Sequence, residues 1–159
     1  MDDVDAFLAA VLPRMQEETL ALVNGDPAPR QALWSHEEPV TVFGALFTHR
    51  GWQEVRSAFD RLAASFSGGT SCEYEVLAAG VSGDLGYLVA IERTVLDGAE
   101  AQPDRWAIRV TALFRREQGT WRQIHRHGDP YDADSQQLRA GMVDRRVPAV
   151  TDATSPRPG

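Results

Sequence analysis

Two runs of alternating residues, joined at Gln118 and Gly119, constrain this chain more than any other stretch. In the first, Trp106, Ile108, Val110, Ala112 and Phe114 fall on one side of a period of two, and Arg105, Ala107, Arg109, Thr111 and Leu113 on the other. That period marks a strand with two different faces. Gln118-Gly119 turns the chain, because glycine accepts the positive φ that a short hairpin demands. Read with the same period, the return run puts Trp121, Gln123, His125 and His127 on one face and Arg122, Ile124 and Arg126 on the other. Two of the four histidines are thus expected side by side.

Upstream, residues 2–24 carry Val4, Phe7, Leu8, Val11, Leu12 and Met15 close to the spacing of one helical face, with Pro13 as a possible bend. Asn24-Gly25-Asp26 ends that helix, and Asp26 followed by Pro27 opens a short second one that runs to about Trp34. Residues 40–44 read as a short buried strand. Gly51 precedes a third helix from about Trp52 to Phe66, whose core face is Val55, Phe59, Leu62, Ala63 and Phe66. Strands over 72–81 and 85–96 follow, with turns at 82–84 and 97–98. Helices first and strands afterwards predict an α+β domain: a cone-shaped, strongly curved antiparallel sheet wrapped around three N-terminal helices. One domain is expected over residues 1–130, and a partly disordered extension over 131–159.

The net charge of −7 argues against nucleic acid or an anionic membrane as partner, since both reward a basic face. No apolar run approaches the roughly 20 residues of a membrane span, and the acidic start MDDVDAF is unlike a signal peptide, so a cytoplasmic protein is expected. Cys72 stands alone, which excludes an intrachain disulfide and a cysteine-rich zinc site. No phosphate loop, dinucleotide glycine motif or nucleophile elbow is present, and no cofactor is expected.

The element order, with IRVT (108–111), FRREQGTW (114–121) and IHRHGDP (124–130), resembles the nuclear transport factor 2-like superfamily, and within it the SnoaL-like branch of polyketide cyclases and ketosteroid isomerase relatives. The resemblance covers roughly residues 5–130. It implies a cone open at one end for a hydrophobic small molecule. The isomerase's pattern departs here: its aspartate base falls at about Phe43, the first helix has no tyrosine, and the later strands offer no interior aspartate. In the cyclases an aspartate and a histidine near the C-terminal strands do the work, parts that His125, His127 and Asp129 match loosely.

The residues themselves nominate Glu92 and Arg109, charged side chains in strand interiors, where burial costs several kcal/mol unless they are paired. They are expected to pair with each other, to face the cone, Arg109 as an oxyanion clamp and Glu92 as acceptor or base, or to be plainly exposed on the surface. His125 and His127 are proton carriers, pocket-lining groups or packing residues, with Asp129 placed to orient a ring. A metal would need a further ligand from another strand, and none is assigned. Trp34, Phe43, Tyr87 and Trp106 are candidate ligand-binding aromatics, and Asp129 is a candidate ligand-binding residue with them. The leading reading is a binder of a hydrophobic, ketone- or polyketide-like molecule with no clear catalytic constellation. The alternatives are a cofactor-independent isomerase, cyclase or dehydratase, or a dimeric assembly or accessory module. The second apolar face of the sheet needs cover, so a homodimer through the sheet is expected.

Overall fold

The computed structural model describes residues 1–44, 47–98, 100–101, 104 and 106–131. Apart from Tyr131, the expected C-terminal extension lies outside the described residues.

Helix α1 (Asp3–Leu22) begins where Asp2 Oδ1 accepts the Asp5 amide at 2.8 Å, with Asp3 and Asp5 in the first turn, where the helix dipole favours negative charge. Its buried stripe is Phe7, Val11, Met15, Glu18, Thr19 and Leu22. A carboxylate and a hydroxyl therefore occupy positions that the helical period assigns to the core. Gly25, at φ 93°, turns the chain into α2 (Ala28–Leu33), whose first amide is accepted by Asp26 Oδ1 at 3.0 Å. Strand β1 (Thr41–Phe43), strand β2 (Thr48–Arg50) and helix α3 (Trp52–Ala64) come next. The four long strands β3 (Gly69–Ser82), β4 (Leu85–Leu96), β5 (Ile108–Glu117) and β6 (Thr120–Pro130) complete the chain.

The strands form one curved, open sheet in the order β2-β1-β6-β5-β4-β3. The expected α+β architecture is present, with two differences. Residues 48–50, expected as loop, pair antiparallel with β1. The sheet is mixed rather than purely antiparallel, because β1 runs parallel to β6, with Thr41 opposite His125 and Phe43 opposite His127. A parallel pair needs a long crossover, here α3 and the three strands after it.

The β5–β6 turn has positive φ at both Gln118 (49°) and Gly119 (79°). This twist matches the flanking strands. Under α1, Phe7 meets Phe114 and Trp121 edge-on, with ring centroids 5.4 and 5.0 Å away. Gly86 lies beneath that ring, and a Cβ there would stand 2.8 Å from Phe7 Cε2, so helix and sheet approach at a residue without a side chain. Each such fully buried large apolar side chain stabilises the fold by about 1.5–3 kcal/mol. A second apolar cluster, Trp34, Val40, Val42, Val55 and Phe59, sits where α3 covers β1.

One irregularity decides what faces the helices. On β6 the register moves from Phe114 opposite Gln123 to Leu113 opposite His125, leaving Ile124 as an extra residue. The bulge reverses the alternation beyond it. Trp121 and Gln123 are buried as the period predicts, but past Ile124 it is Arg126 that is buried while His127 is exposed. The expected shared face of Trp121, Gln123, His125 and His127 is corrected accordingly: the histidines lie on the outer face of the sheet.

Candidate functional site

The inner face carries a connected set of buried polar groups between the two apolar clusters. Arg126 Nη2 donates to Glu92 Oε2 at 2.8 Å, and the Tyr74 hydroxyl donates to the same oxygen at 2.5 Å. Tyr74 has a single proton, so the 2.8 Å contact between its hydroxyl and Thr19 Oγ1 is one in which Thr19 donates. Arg30 reaches Thr19 Oγ1 through Nη2 at 3.2 Å and pairs with Glu18 through Nε. Donation runs from Arg30 to Thr19 to Tyr74 to Glu92, with Arg126 closing the far side. The chain links α2, α1, β3, β4 and β6. It holds two carboxylates and two guanidinium groups, so its charge is balanced.

Sequence places each member. Glu92 lies on the inward face of β4 with Leu88, Ala90 and Thr94, all buried. Arg126 reaches it across β5, beside Gly128, where a Cβ would crowd Ile108 Cγ2 at 3.0 Å. Glu92 is 3% exposed and Arg126 7%. Burial works to raise the Glu92 carboxyl, but the charges of Arg126 and Arg30 and the Tyr74 hydrogen bond outweigh it and hold the group below the usual carboxylate range. In Glu18 burial prevails over Arg30, and the carboxyl is raised. Burial, reinforced by the Glu92 charge, raises the Tyr74 phenol well above its ordinary value. The same causes push the Cys72 thiol up to about 12, which leaves it inert as a nucleophile.

Three buried polar atoms around this seam have no protein partner: Trp34 Nε1, Gln123 Oε1 and Arg126 Nη1. Trp34 and Gln123 are bridged to each other, and Gln123 and Arg126 are consecutive inward residues of β6 on either side of the bulge. Thr94 Oγ1 also lacks a geometric hydrogen bond, yet its side chain lowers the Cys72 thiol as a hydrogen-bond partner would. Thr94 stands opposite Cys72 in the β3–β4 pair, away from Trp34, Gln123 and Arg126 of the other strands.

The structure separates the residues that sequence nominated. Glu92 and Trp34 belong to the inner seam. Arg109 does not pair with Glu92: it binds Asp129 through Nε at 2.8 Å and Nη2 at 2.5 Å on the outer face, where its side chain is 54% exposed. The reason is the alternation of β5, which buries Val110 and Ala112 and turns Arg109 outward. Asp129, spent on Arg109, orients neither histidine. His125 Nδ1 is 2.7 Å from Thr41 Oγ1, and the Phe43 ring stands edge-on to both His125 and His127, at 5.2 and 5.8 Å. Tyr87 and Phe43 are exposed on that outer face, and Trp106 packs edge-on against Phe66 beyond the third helix. Sequence reasoning missed Glu18, Thr19, Arg30, Tyr74, Gln123 and Arg126. Glu18 and Thr19 were detectable as polar residues on an apolar helical stripe.

Two cavities lie outside the seam. One of about 240 Å³ opens on the outer face among Leu77, Val89, Ile91, Arg109, Thr111 and His127. Another of about 380 Å³ lies between α1 and α2, lined by Arg14, Glu17, Asp26, Pro29 and Leu33 among others. Among the described residues no group of three or more histidine, cysteine, aspartate or glutamate side chains could hold a metal ion, and no helix is long and apolar enough to cross a membrane.

This arrangement, helices over a curved sheet with a polar seam inside, defines a cone-shaped α+β class shared by binding proteins and enzymes. The model of the SnoaL-like domain matches residues 11–131, and the chain belongs to that family. No curated protein matches. Solved structures share the fold. A candidate calcium/calmodulin-dependent protein kinase type II association domain from Thiobacillus denitrificans is 22% identical, with 80% of this chain and 91% of that one covered and a TM-score of 0.61. A candidate dehydratase of the nuclear transport factor 2-like family from Streptomyces avermitilis is 17% identical (81% and 99% covered, TM-score 0.60). A candidate ketosteroid isomerase from Parabacteroides distasonis is 16% identical (73% and 83%, TM-score 0.57).

Proposed function

We propose that this chain binds a hydrophobic, ketone- or polyketide-like small molecule in the cone, at the seam between its two apolar clusters. The observation that carries the reading is the buried set of Glu92, Tyr74 and Arg126 with unpartnered Trp34 Nε1, Gln123 Oε1 and Arg126 Nη1 beside it. Buried ion pairs rarely repay their desolvation, and buried donors without partners cost a further ~1–3 kcal/mol each. A ligand carbonyl accepting from Trp34 Nε1 or Arg126 Nη1 recovers the share of these two donors, while Gln123 Oε1, an acceptor, would take a ligand hydroxyl. Proton transfer fits less well: a carboxylate held below the ordinary range is a weak base near neutral pH.

Thermal-shift and calorimetric titration with aromatic and polyketide-like ketones tests the reading against the matched hydrocarbons. The expected result is stabilisation by ketones that the hydrocarbons do not give. Equal, or absent, responses to both series would remove the polar seam as a ligand site.

A second reading concerns assembly. Leu77 (58% exposed), Tyr87, Leu113 and Phe43 stand on the outer face of the sheet, which the helices do not cover. We propose that this face meets a second copy of the chain in a two-fold, self-complementary contact.

A further inference from the structure

We propose that self-association through the outer sheet face is released by acid, with His125 and His127 as the sensing pair. The inference rests on the assembly reading above and assigns that surface its regulation.

The bulge at Ile124 places both imidazoles on the outer face, two residues apart on β6, each flanked by the edge of the Phe43 ring. Their strand neighbours are Thr41 and Phe43 on β1, and Leu113 and Thr111 on β5. None of these can neutralise an imidazolium. The next outward residue on β6 is Asp129, but Arg109 already holds both of its oxygens. From β2, Arg50 lies in register with Thr41 and adds positive charge at that edge. Tyr87 and Leu77, on the far side of β5, continue the face as exposed apolar surface.

The same residues favour a second copy as the occupant. Arg109 and Asp129, the charged pair beside the histidines, neutralise each other within one chain, which leaves Arg50 at the β2 edge as the charge that a two-fold contact must keep at its rim. A two-fold contact buries the four imidazoles of the two copies together, with the apolar side chains around them. Neutral rings accept that burial, whereas charged ones, beside each other and without a free carboxylate, oppose it. Half-burial and the neighbouring His127 already hold the His125 ring below its ordinary pKa in the single chain, with Thr41 opposing. Further burial acts in the same direction. Neutral rings are favoured in the pair of chains and protonated rings in the separated chain, so association holds above the histidine range and weakens as pH falls through it.

Sedimentation equilibrium of the full chain at pH ~7.5 and ~5.5 reads this directly, with an expected loosening of the dimer by at least ~10-fold at the lower pH. The double variant His125→Asn/His127→Gln should remain dimeric at both values, an outcome that general acid unfolding would not produce. A single-chain mass for the wild type at both values would defeat the assembly reading and this proposal together. A wild-type dimer equally tight at both, or a double variant that loosens in acid as the wild type does, would defeat the acid switch alone.

Discussion

Arg126 Nη2 lies 2.8 Å from Glu92 Oε2, although the strands that carry them are not neighbours: β5 runs between β6 and β4. The pair spans that strand over Ala112 and Val110, whose inward side chains are small, and past Gly128, which has none. Replacing Arg126 by Leu should therefore leave a buried carboxylate without its cation and cost ~3–5 kcal/mol. Arg109→Leu should leave stability nearly unchanged, since that guanidinium is exposed and its partner Asp129 returns to water. Urea unfolding of both variants checks the contrast, and equal losses would refute the placement of the two arginines.

How far the sequence disclosed this depends on where its periodicity was unbroken. Strand β4 alternates without interruption on its inward side, so Leu88, Ala90, Glu92 and Thr94 could be assigned to one face, and its ends, Leu85 and Leu96, were read as observed. The helical stripes of α1 and α3 and the Gln118-Gly119 turn were equally plain. Arg126 was out of reach, because one extra residue, Ile124, inverts the period and nothing in the composition of IHRHGDP marks a bulge. The parallel partnership of β1 was hidden for another reason: a three-residue strand carries no signal of which neighbour it joins. Tyr74 and Arg30 were passed over because a lone polar residue in a strand or a short helix does not announce its burial partner.

The pH dependence of stability should carry the sign of Glu92. A carboxyl depressed in the folded state contributes stability that is present above the unfolded value of ~4.3 and is lost as pH falls through the folded one. Glu18, raised by burial, acts oppositely: its contribution is present below that unfolded value and is lost as pH rises through the folded one. Glu92→Gln removes the first effect and keeps the second. The stability gap between wild type and variant should accordingly narrow below pH ~4.3, as read from urea midpoints across the acid range. A gap independent of pH would mean that Glu92 is not the depressed group.

Tyr74→Phe tests the connection between helices and sheet. The lost hydroxyl donates to Glu92 and accepts from Thr19, so its removal leaves two groups short of a hydrogen bond and should cost ~1–3 kcal/mol. A double-mutant cycle with Thr19→Val should show coupling of ~0.5 kcal/mol or more, whereas strictly additive losses would mean that the two hydroxyls do not communicate.

The most discriminating prediction separates a seam kept for stability from one kept for binding. Replacing Glu92 by Leu and Arg126 by Met together removes both charges at similar volume, and the Tyr74 hydroxyl, losing Glu92 as acceptor, turns its proton to Thr19 Oγ1. Exchanging a buried ion pair for packed apolar side chains is often neutral or stabilising by ~1–4 kcal/mol. If the cluster exists for a ligand, the double variant should unfold at the same or higher urea concentration than the wild type and give no ketone-dependent thermal shift. A purely architectural cluster would behave otherwise: the variant would lose stability, and any shift given by the wild type would persist, since nothing recognised by the ligand would have changed.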